Sequence, residues 1–440
     1  MKRNATLPKH GIAPGRLLRA MHAAKSGDAK WKSGHTWSLV YHLSEEHTEH
    51  LIDVYRLFFA ENALSPTAFP SLKKFESDVV RIMARLVGGG ERAAGTMTSG
   101  GTESILLGVK THRDWFRSRH PKARRCKLIV PATAHPAFFK AAAYFDMEPV
   151  TIQTGPDFRL DSAEVAKAID KNTAMLVGSA PSYPYGIVDP IRELGAIAQR
   201  HDIGLHVDAC LGGAFLPFMR KLGHPIPEFD FSVPGVSSMS VDLHKYGFSC
   251  KGTSVVLYRD SALRRHQFFV KPDWLGGAYA SAAMLGTRSG GGIASAWAAL
   301  MMLGENGYMD LVRRTLSYRD RLWKGIRAID GLELVGEPDM SVFCFRSTKH
   351  DIFSIGAKLE KRGWRIDRQN NPPAIHMIVT PNHRLAVSAF LRDLKNIVAT
   401  EPLSKGKAPA AVGLYGVTSS QTSGANPVES LYRGLESNYE

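Results

Sequence analysis

Three short segments of this sequence carry residue types that can act together in one kind of chemistry. Ser240-Val-Asp-Leu-His-Lys-Tyr-Gly247 places Lys245 directly after a histidine and ahead of the apolar stretch 254–258. Upstream, an apolar stretch ends on an acid in His206-Val-Asp-Ala209, and Thr98-Ser-Gly-Gly-Thr-Glu-Ser104 opens a segment of helical periodicity. An amine, an acid and a glycine-rich helix start are what pyridoxal phosphate needs for its aldehyde, its pyridine nitrogen and its phosphate.

The glycine-rich segment suits the phosphate group. A helix N-terminus presents free backbone N–H groups and the positive end of the helix dipole, and Gly101 lets an anion approach closely. The hydroxyl of Thr102 adds a further donor. An ordinary helix start with turn glycines has the same pattern, so this segment gains its meaning only beside the other two.

The acid and the amine have complementary roles. Asp208 can hydrogen-bond the protonated pyridine nitrogen and keep the ring an electron sink. For Lys245 we expect desolvation beside the cofactor, a lowered pKa and hence a nucleophilic amine. His135, in Ala134-His-Pro136, can stack on the ring. Each residue also has an ordinary alternative: a loop acid, a surface lysine and a structural histidine.

The elements that must position these residues alternate along the chain. Apolar runs at 127–130, 174–177, 204–207 and 254–257 are separated by helical patterns such as 161–168 and 190–200. This alternation predicts an α/β fold with a mostly parallel central sheet flanked by helices. Ligands of such sheets bind at the carboxyl ends of the strands, where Asp208 is expected.

After Gly304 the pattern changes to a compact α+β arrangement. A helix is expected over 308–329, strands at 332–335, 341–345 and 375–379, and helices at 352–362 and 385–397. We therefore predict an N-terminal helical segment (1–60), a large cofactor-binding domain (61–307) and a smaller α+β C-terminal domain (308–400). The tail, 401–440, is rich in Ser, Gly and Ala, and its composition leaves open whether it is ordered.

Composition narrows the functional classes. The 440 residues are 44% hydrophobic and 22% charged, and four scattered cysteines show no metal-ligand spacing. Without a long apolar run or a signal peptide, we expect a soluble, cytoplasmic protein with reduced thiols. The net charge of +15 is spread over the chain apart from a basic start, and no nucleic-acid-binding signature accompanies it. A solvated basic surface explains it, as does attraction of a phosphorylated substrate or an anionic membrane surface.

Longer motifs around these segments carry a resemblance to a known family. The chain resembles, nearly end to end, the fold-type I pyridoxal phosphate enzymes of the group II decarboxylase kind and, among them, the sphingosine-1-phosphate lyases. The motifs that carry it are Ser99-Gly-Gly-Thr-Glu103, His206-Val-Asp-Ala-Cys-Leu-Gly-Gly213, Phe229-Asp-Phe-Ser-Val-Pro-Gly-Val236, Asp242-Leu-His-Lys-Tyr-Gly247 and Gly304-Glu-Asn-Gly-Tyr308.

The resemblance implies a role for each site residue. The cofactor would be held by Lys245 through a Schiff base, Asp208 at the pyridine nitrogen, His135 on the ring, and Gly101, Thr102 and His244 at the phosphate. Lys251, Tyr41 and Tyr183 match positions around the phosphate and polar head of the substrate. The segment Gly286-Thr-Arg-Ser-Gly290 resembles a loop that reaches the partner subunit, which implies a homodimer in which Thr287 serves the cofactor and Arg288 an anionic group.

The implied reaction is retro-aldol cleavage of a phosphorylated long-chain base to a long-chain aldehyde and phosphoethanolamine. Tyr183, Tyr41 and Lys245 all remain candidates for the catalytic base. Ser65-Pro66 stands where the family often has His-Pro near the substrate phosphate. The absence of an N-terminal membrane helix predicts a soluble, bacterial version. Two alternatives stay open: an amino-acid decarboxylase on the same fold, and a non-catalytic nucleic-acid or membrane-surface binder.

Overall fold

A computed structural model describes residues 6–123 and 125–403, together with residues 432 and 436. Most of the predicted tail therefore lies outside the described residues. Twelve α-helices are found within the described part of the chain. They are α1 (Pro14–Ala24), α2 (Glu45–Leu57), α3 (Pro70–Leu86), α4 (Gly101–Arg119), α5 (Ala137–Tyr144), α6 (Ser162–Ala168), α7 (Ile191–His201), α8 (Leu216–Lys221), α9 (Ser261–Arg264), α10 (Gly290–Arg327), α11 (Ile352–Lys361) and α12 (Ala386–Val398).

Seven strands form the large sheet, in the order β1-β7-β6-β5-β4-β2-β3. They are β1 (Ala94–Thr98), β2 (Cys126–Pro131), β3 (Met147–Ile152), β4 (Thr173–Ser179), β5 (Gly204–Asp208), β6 (Ser238–Asp242) and β7 (Ser254–Tyr258). Four neighbouring pairs, from β3 to β6, are parallel, whereas β7 runs antiparallel to both β6 and β1. The predicted α/β fold with a mostly parallel sheet is thus confirmed.

The sequence patterns located four of these seven strands. The apolar runs at 127–130, 174–177, 204–207 and 254–257 became β2, β4, β5 and β7. Strands β1, β3 and β6 were not predicted. The segments Ala94-Gly-Thr-Met-Thr98 and Ser238-Met-Ser-Val-Asp242 are rich in small polar residues, and Glu148, Pro149 and Thr151 interrupt the apolar residues of β3. Strands β1 and β6 are nevertheless buried in the sheet, where hydroxyl side chains find partners such as the Thr98–Ser104 hydrogen bond of 2.6 Å.

Helices cover both faces of the large sheet. Along β4, Leu176 packs into one apolar cluster with residues of α3 and α7, while Met175 and Val177 pack into another with α4 and α5. Alternate side chains of a strand point to opposite faces, so the strand is buried on both sides. This explains its continuous apolar run, and it leaves only the strand ends free to present polar groups.

The smaller sheet follows the long helix α10, which breaks at Gly304 (φ 56°). Its order is β10-β11-β13-β12, all antiparallel. The strands are β10 (Leu332–Leu334), β11 (Val342–Ser347), β12 (Asp367–Asn370) and β13 (Pro373–Ile378). A separate short hairpin precedes α10 and consists of β8 (Phe269–Lys271) and β9 (Tyr279–Ser281). The predicted helices and strands after Gly304 are confirmed, and β12 is an addition.

The N-terminal segment joins the smaller sheet. The carbonyl oxygen of His35 accepts from Arg365 N, and that of Trp37 accepts from Ile378 N, both at 2.7 Å. The fully buried Trp37 ring stacks on His383 at 4.3 Å between ring centroids. Residues 35–37 therefore belong to the core of the C-terminal unit although they lie far from it in sequence.

Candidate active site

The carboxyl ends of three parallel strands meet at one edge of the large sheet. Ser179 ends β4, Asp208 ends β5 and Asp242 ends β6. They line a cavity of about 190 Å³. The other lining residues are Gly101, Thr102, Ile105, His135, Pro181, Tyr183, Cys210, Leu211, His244 and Lys245. Seven of the eleven predicted site residues lie in this one place.

Lys245 is paired with Asp242, an acid that was not predicted as a site residue. Its Nζ atom lies 2.9 Å from Asp242 Oδ2, and Asp242 is only 2% exposed. Burial is the largest single effect and lowers the pKa of Lys245, but the acidic groups around it, Asp242 first among them, together outweigh burial, so the net pKa is raised well above its ordinary value. The expectation of a lowered pKa is therefore wrong for this arrangement, because it neglected a buried counter-charge.

The same ion pair acts on the acid. Burial raises the pKa of Asp242, while Lys245 and then His244 lower it, and the net pKa lies below its ordinary value. Asp242, the last residue of β6, stands three residues before Lys245, which lies in the turn that follows the strand. That spacing was visible in the sequence, but the turn that brings the two charges together was not.

Asp208 presents a carboxylate into the cavity from the end of β5. It is 9% exposed, and its Oδ1 atom accepts from Cys210 N at 3.1 Å and from the Ser240 hydroxyl at 3.3 Å. Neither donor carries a charge. Because a buried carboxylate is costly without a cationic partner, its position suits a protonated pyridine nitrogen.

The N-terminus of α4 opens into the same cavity. Gly100, the N-cap residue (φ 152°), supplies no side-chain cap, so the first N–H groups of this 19-residue helix are left for another acceptor. A Cβ on Gly101 would lie 2.9 Å from both Asp242 carboxylate oxygens and from Cys210 Sγ. Glycine is therefore required here by the close approach of neighbouring groups.

Glu103 holds the loop that precedes α4. Its carboxylate accepts from Ser99 N at 2.6 Å and from Met284 N at 2.8 Å, although the side chain is buried. This acid ties the glycine-rich turn to the segment before α10. The sequence motif contained Glu103, but only the structure shows that it supports the loop and does not face the cavity.

Two histidines border the cavity. His244 Nδ1 donates to the carbonyl oxygen of Thr253 at 2.7 Å, and its Nε2 lies 3.7 Å from Asp242 Oδ2. His135 Nδ1 accepts from Ala137 N at 3.2 Å. Burial lowers the pKa of His135. Its ring is therefore neutral and carries its proton on Nε2, as suits stacking on an aromatic cofactor.

The ammonium group of Lys251 and the ring of Tyr41 lie together near Lys245, and we call this pair the cationic corner. Lys251 Nζ donates to the carbonyl oxygen of Leu39 at 2.7 Å and lies 5.1 Å from the centre of the Tyr41 ring. Although part of its surface is exposed, burial of the ammonium and then the charge of Lys245 lower the pKa of Lys251 to about 8. The Tyr41 ring packs edge-on against Tyr246 at 5.1 Å.

Tyr183 connects the cavity to the smaller sheet. It follows β4 after the cis peptide bond Ala180–Pro181, and its hydroxyl donates to Asp367 Oδ2 at 3.4 Å. Its ring lies 4.0 Å from that of His376, measured between centroids. The sequence reading assigned no role to Asp367 or His376, since both lie in the C-terminal unit and belong to no motif.

Thr287 and Arg288 lie elsewhere within the chain. Arg288 pairs with Glu76 at 2.7 Å and donates to the carbonyl oxygen of Ala63 at 3.1 Å. Thr287 accepts from Asn62 Nδ2 at 3.3 Å. Arg288 lines a second cavity, of about 590 Å³, to which neither Lys245 nor Asp208 contributes. One chain therefore does not bring this loop to the predicted cofactor site.

The residues present fit pyridoxal phosphate. The cavity combines a lysine, a buried carboxylate with neutral donors only, a neutral histidine and an uncapped glycine-rich helix start. Each group meets one part of the cofactor: the aldehyde, the pyridine nitrogen, the ring face and the phosphate.

Comparisons with known proteins agree with this arrangement. Residues 29–348 match the pyridoxal-dependent decarboxylase conserved domain. The chain is 40% identical over 411 residues to a sphingosine-1-phosphate lyase of Dictyostelium discoideum, covering 92% of this chain and 77% of that protein. It is 41% identical over 453 residues to the Arabidopsis thaliana enzyme of that name, of which it covers 82%. The chain belongs to the sphingosine-1-phosphate lyase family.

Solved structures place this lyase-family chain in the same fold. A sphingosine-1-phosphate lyase of Burkholderia pseudomallei is similar with a TM-score of 0.87 and 40% identity, over 90% of this chain and 92% of that one. A Lactobacillus brevis glutamate decarboxylase is similar with a TM-score of 0.79 at 20% identity, which shows the fold alone. The fold is thus that of the fold-type I pyridoxal phosphate enzymes, as expected, and pyridoxal phosphate is the cofactor.

Across the described ranges of this lyase-family chain, no helix combines the length and apolarity needed to cross a bilayer.

Proposed function

We propose that this chain cleaves the C2–C3 bond of a phosphorylated long-chain base, releasing a long-chain aldehyde and phosphoethanolamine. The observation that carries the proposal is the cavity at the end of β4, β5 and β6. There the Lys245–Asp242 pair, the Asp208 carboxylate and the start of α4 face one another. Membership of the lyase family supports the choice of substrate.

The cofactor supplies an aldehyde that takes up the substrate amine and a ring that accepts the electron pair of the broken bond. Lys245 would hold the cofactor aldehyde through its amine. Asp208 holds the proton on the pyridine nitrogen through a charge-assisted hydrogen bond. His244 and the first N–H groups of α4, with Gly101 and Thr102, bind the cofactor phosphate, while His135 covers the ring.

The cationic corner suits the phosphate of the substrate. Lys251 lies over the Tyr41 ring, and its pKa of about 8 leaves it protonated at neutral pH. A dianionic phosphate beside this ammonium would gain a charge-assisted hydrogen bond. Ser65 stands where the family often has a histidine. Its neighbours Leu64 and Pro66 line the 590 Å³ cavity, so Ser65 lies beside that cavity.

For the proton of the C3 hydroxyl, we assign Tyr183 as the relay: its oxygen would accept that proton while its own hydroxyl proton passes to the Asp367 carboxylate. Of the three candidates, Tyr183 and Lys245 line the cavity, and Lys245 is already engaged by Asp242. The Tyr183 hydroxyl donates to Asp367, so its oxygen keeps lone pairs for a second hydrogen bond from the substrate.

A homodimer with shared active sites is part of the proposal. Within one chain, Arg288 and the loop of Ala63 to Pro66 lie together on a cavity away from Lys245. Both loops correspond to segments that the family resemblance places near the anions of a site. A second copy that docks there would receive Thr287 at its cofactor and Arg288 at its substrate phosphate.

The proposed function is tested by product analysis. The protein loaded with pyridoxal phosphate is incubated with sphingosine 1-phosphate, beside Lys245→Ala and the exposed control Lys271→Ala. We expect the parent protein and the control to release long-chain aldehyde and phosphoethanolamine. We expect Lys245→Ala to release neither product. Equal turnover by Lys245→Ala, or release of carbon dioxide from an amino acid in place of cleavage, would contradict the proposal.

A further inference from the structure

A cavity beside the active site contains a buried histidine, His376, whose ring nitrogens have no hydrogen-bond partner among the residues that the structure describes. The cavity measures about 320 Å³ and lies between β12 and the loop after β4; we name it the β12 pocket. It is lined by Ala132, Thr133, Ala134, His135, Pro136, Tyr183, Pro184, Tyr185, Asp367, Arg368, Gln369, Asn370, Asn371 and His376. Its volume is within the range of small-molecule sites.

The β12 pocket is next to the reacting centre. His135 and Tyr183 line both this pocket and the 190 Å³ cavity that contains Lys245. A substrate whose amine is held at Lys245 can therefore extend past these two side chains into the pocket. Gln369 Nε2 donates to the carbonyl oxygen of Pro184 at 2.7 Å, which holds β12 against the loop that carries Tyr183.

The strand register explains why His376 faces the pocket. His376 on β13 is paired with Cys344 on β11 and Asp367 on β12. The alternate residues of β13, Ile375 and Met377, pack into the core of the C-terminal unit. His376 consequently points to the opposite face, toward the large domain, where its ring meets Tyr183 at 4.0 Å.

The buried ring of His376 lacks hydrogen bonds from the residues that the structure describes. His376 is 0% exposed, and neither Nδ1 nor Nε2 has a hydrogen-bond partner within the described parts of the chain. Buried polar groups in native proteins are nearly always paired, so two unpaired nitrogens on a cavity wall indicate a ligand. Burial also lowers the pKa of His376 to about 4. The neutral ring has one donor and one acceptor.

The chemistry of the pocket selects a neutral ligand over an anion. The one guanidinium on its wall, Arg368, is already held by both oxygens of Glu360 at 2.9 and 2.8 Å. The carboxylate of Asp367 would repel a phosphate. Apart from Thr133 and His135, the lining residues outside the smaller sheet are alanine, proline and tyrosine, which suit an alkyl chain.

We propose that the β12 pocket binds the aldehyde half of the substrate, with His376 donating a hydrogen bond to the oxygen that becomes the aldehyde carbonyl. This inference rests on the proposed function and extends it to the residues of the C-terminal unit. His376 would hold the C3 oxygen close to Tyr183, and the apolar wall would hold the first methylene groups of the chain. Phosphoethanolamine, the other half, would remain in the Lys245 cavity.

The test uses decanol, an unreactive alcohol that stands for the aldehyde half. Its binding to the protein loaded with pyridoxal phosphate is measured by calorimetry, independently of turnover. His376→Phe keeps an aromatic ring of similar size but removes both nitrogens, whereas His376→Gln retains a donor and an acceptor. His350→Phe serves as a matched control outside the pocket. Thermal unfolding and cofactor absorbance report whether each variant is intact.

We expect His376→Phe to weaken decanol binding about tenfold, the usual cost of one hydrogen bond. His376→Gln and His350→Phe should stay near the parent value, and inhibition by phosphoethanolamine should not change. Equal decanol binding by the parent and an intact His376→Phe, or no binding by the parent, overturns the inference.

A second variant covers the case in which His376→Phe does not fold. Ala132 lines the pocket from the exposed surface, so Ala132→Leu fills it without disturbing the core. We expect weaker decanol binding by Ala132→Leu, and unchanged binding contradicts the inference. Decanol binding is measured without turnover, so the two proposals can fail separately. If the parent protein binds decanol through His376 but releases no aldehyde from sphingosine 1-phosphate, the proposed function is refuted and the binding pocket is not.

Discussion

Lys245 Nζ lies 2.9 Å from Asp242 Oδ2, and this buried ion pair stands at the centre of the site. Asp242 ends β6 and Lys245 lies in the turn that follows, and their pKa values shift in opposite directions, upward for the lysine and downward for the acid. Each thereby stabilises the charged form of the other. The pairing with Asp242 therefore favours the protonated amine over the neutral nucleophile.

The first prediction concerns this pair. Asp242→Asn removes the charge that raises the Lys245 pKa, so the neutral amine should form at lower pH. We expect the rate of pyridoxal phosphate incorporation into the cofactor-free protein to rise with pH in the parent, and the midpoint of that rise to move to lower pH in Asp242→Asn. Stopped-flow absorbance measures it. An unchanged midpoint would show that Asp242 does not control the protonation of Lys245.

The second prediction concerns Lys251, whose pKa is lowered to about 8 by burial and then by Lys245. Below that pH the ammonium is charged and can bind a phosphate; above it the charge is lost. KM for sphingosine 1-phosphate should therefore rise as the pH increases through about 8. Lys251→Met should raise KM about tenfold at pH 7, with less effect on kcat, and should lack this pH dependence.

The exposed Lys271→Met is the control for Lys251. It should show the parent pH profile, because its Nζ pairs with Asp273 in the hairpin before α10, and it is not among the residues around the active-site cavity. If Lys251→Met retains the parent rise in KM, another group is responsible for it.

The third prediction uses the close approach at Gly101. A methyl group there would lie 2.9 Å from both Asp242 oxygens and from Cys210 Sγ, so Gly101→Ala must displace the start of α4 or the Asp242 turn. We expect a loss of ~1–3 kcal/mol in stability, typical of overpacking, together with weaker binding of pyridoxal phosphate. Gly90→Ala is the control, since nothing lies within 4 Å of its added Cβ. Fluorescence titration with the cofactor compares the two.

The fourth prediction tests whether active sites are shared between subunits. Lys245→Ala and Arg288→Ala should each have little activity as separate homodimers. In a mixed dimer, one site would combine Lys245 of one subunit with Arg288 of the other. After unfolding and refolding together, about a quarter of the parent activity should return, as random pairing of two subunits predicts. No recovery, with mixed dimers demonstrated, would place Arg288 in the site of its own chain.

Much of the site could be predicted from local sequence. Lys245, Asp208, Gly101 and Thr102 lie in short motifs whose backbone geometry is determined within a few residues, at a strand end or a helix start. The alternating pattern also predicted where the strands end, and ligands of parallel sheets bind there. For these reasons the cofactor and the fold followed from residue types and their spacing.

The tertiary structure decided the direction of strand β7 and the distances between the site residues. The apolar run of β7 has no feature that shows its antiparallel pairing, because a continuous apolar run indicates burial on both faces and not the direction of the strand. The raised pKa of Lys245 depends on a turn that places Asp242 beside it and on burial of the pair. His376 is 193 residues from Tyr183, and only the docking of β12 and β13 on the large domain brings the two rings together.

The sequence by itself thus determined the chemistry: an amine, an acid and an anion-binding helix start, each built by a short segment. The tertiary structure alone decided which charges compensate one another, which side chains from the C-terminal unit border the site, and that Arg288 lies away from Lys245 within one chain. The physical reason is that local motifs depend on backbone geometry over a few residues. Burial and electrostatic coupling depend on every element packed around a group.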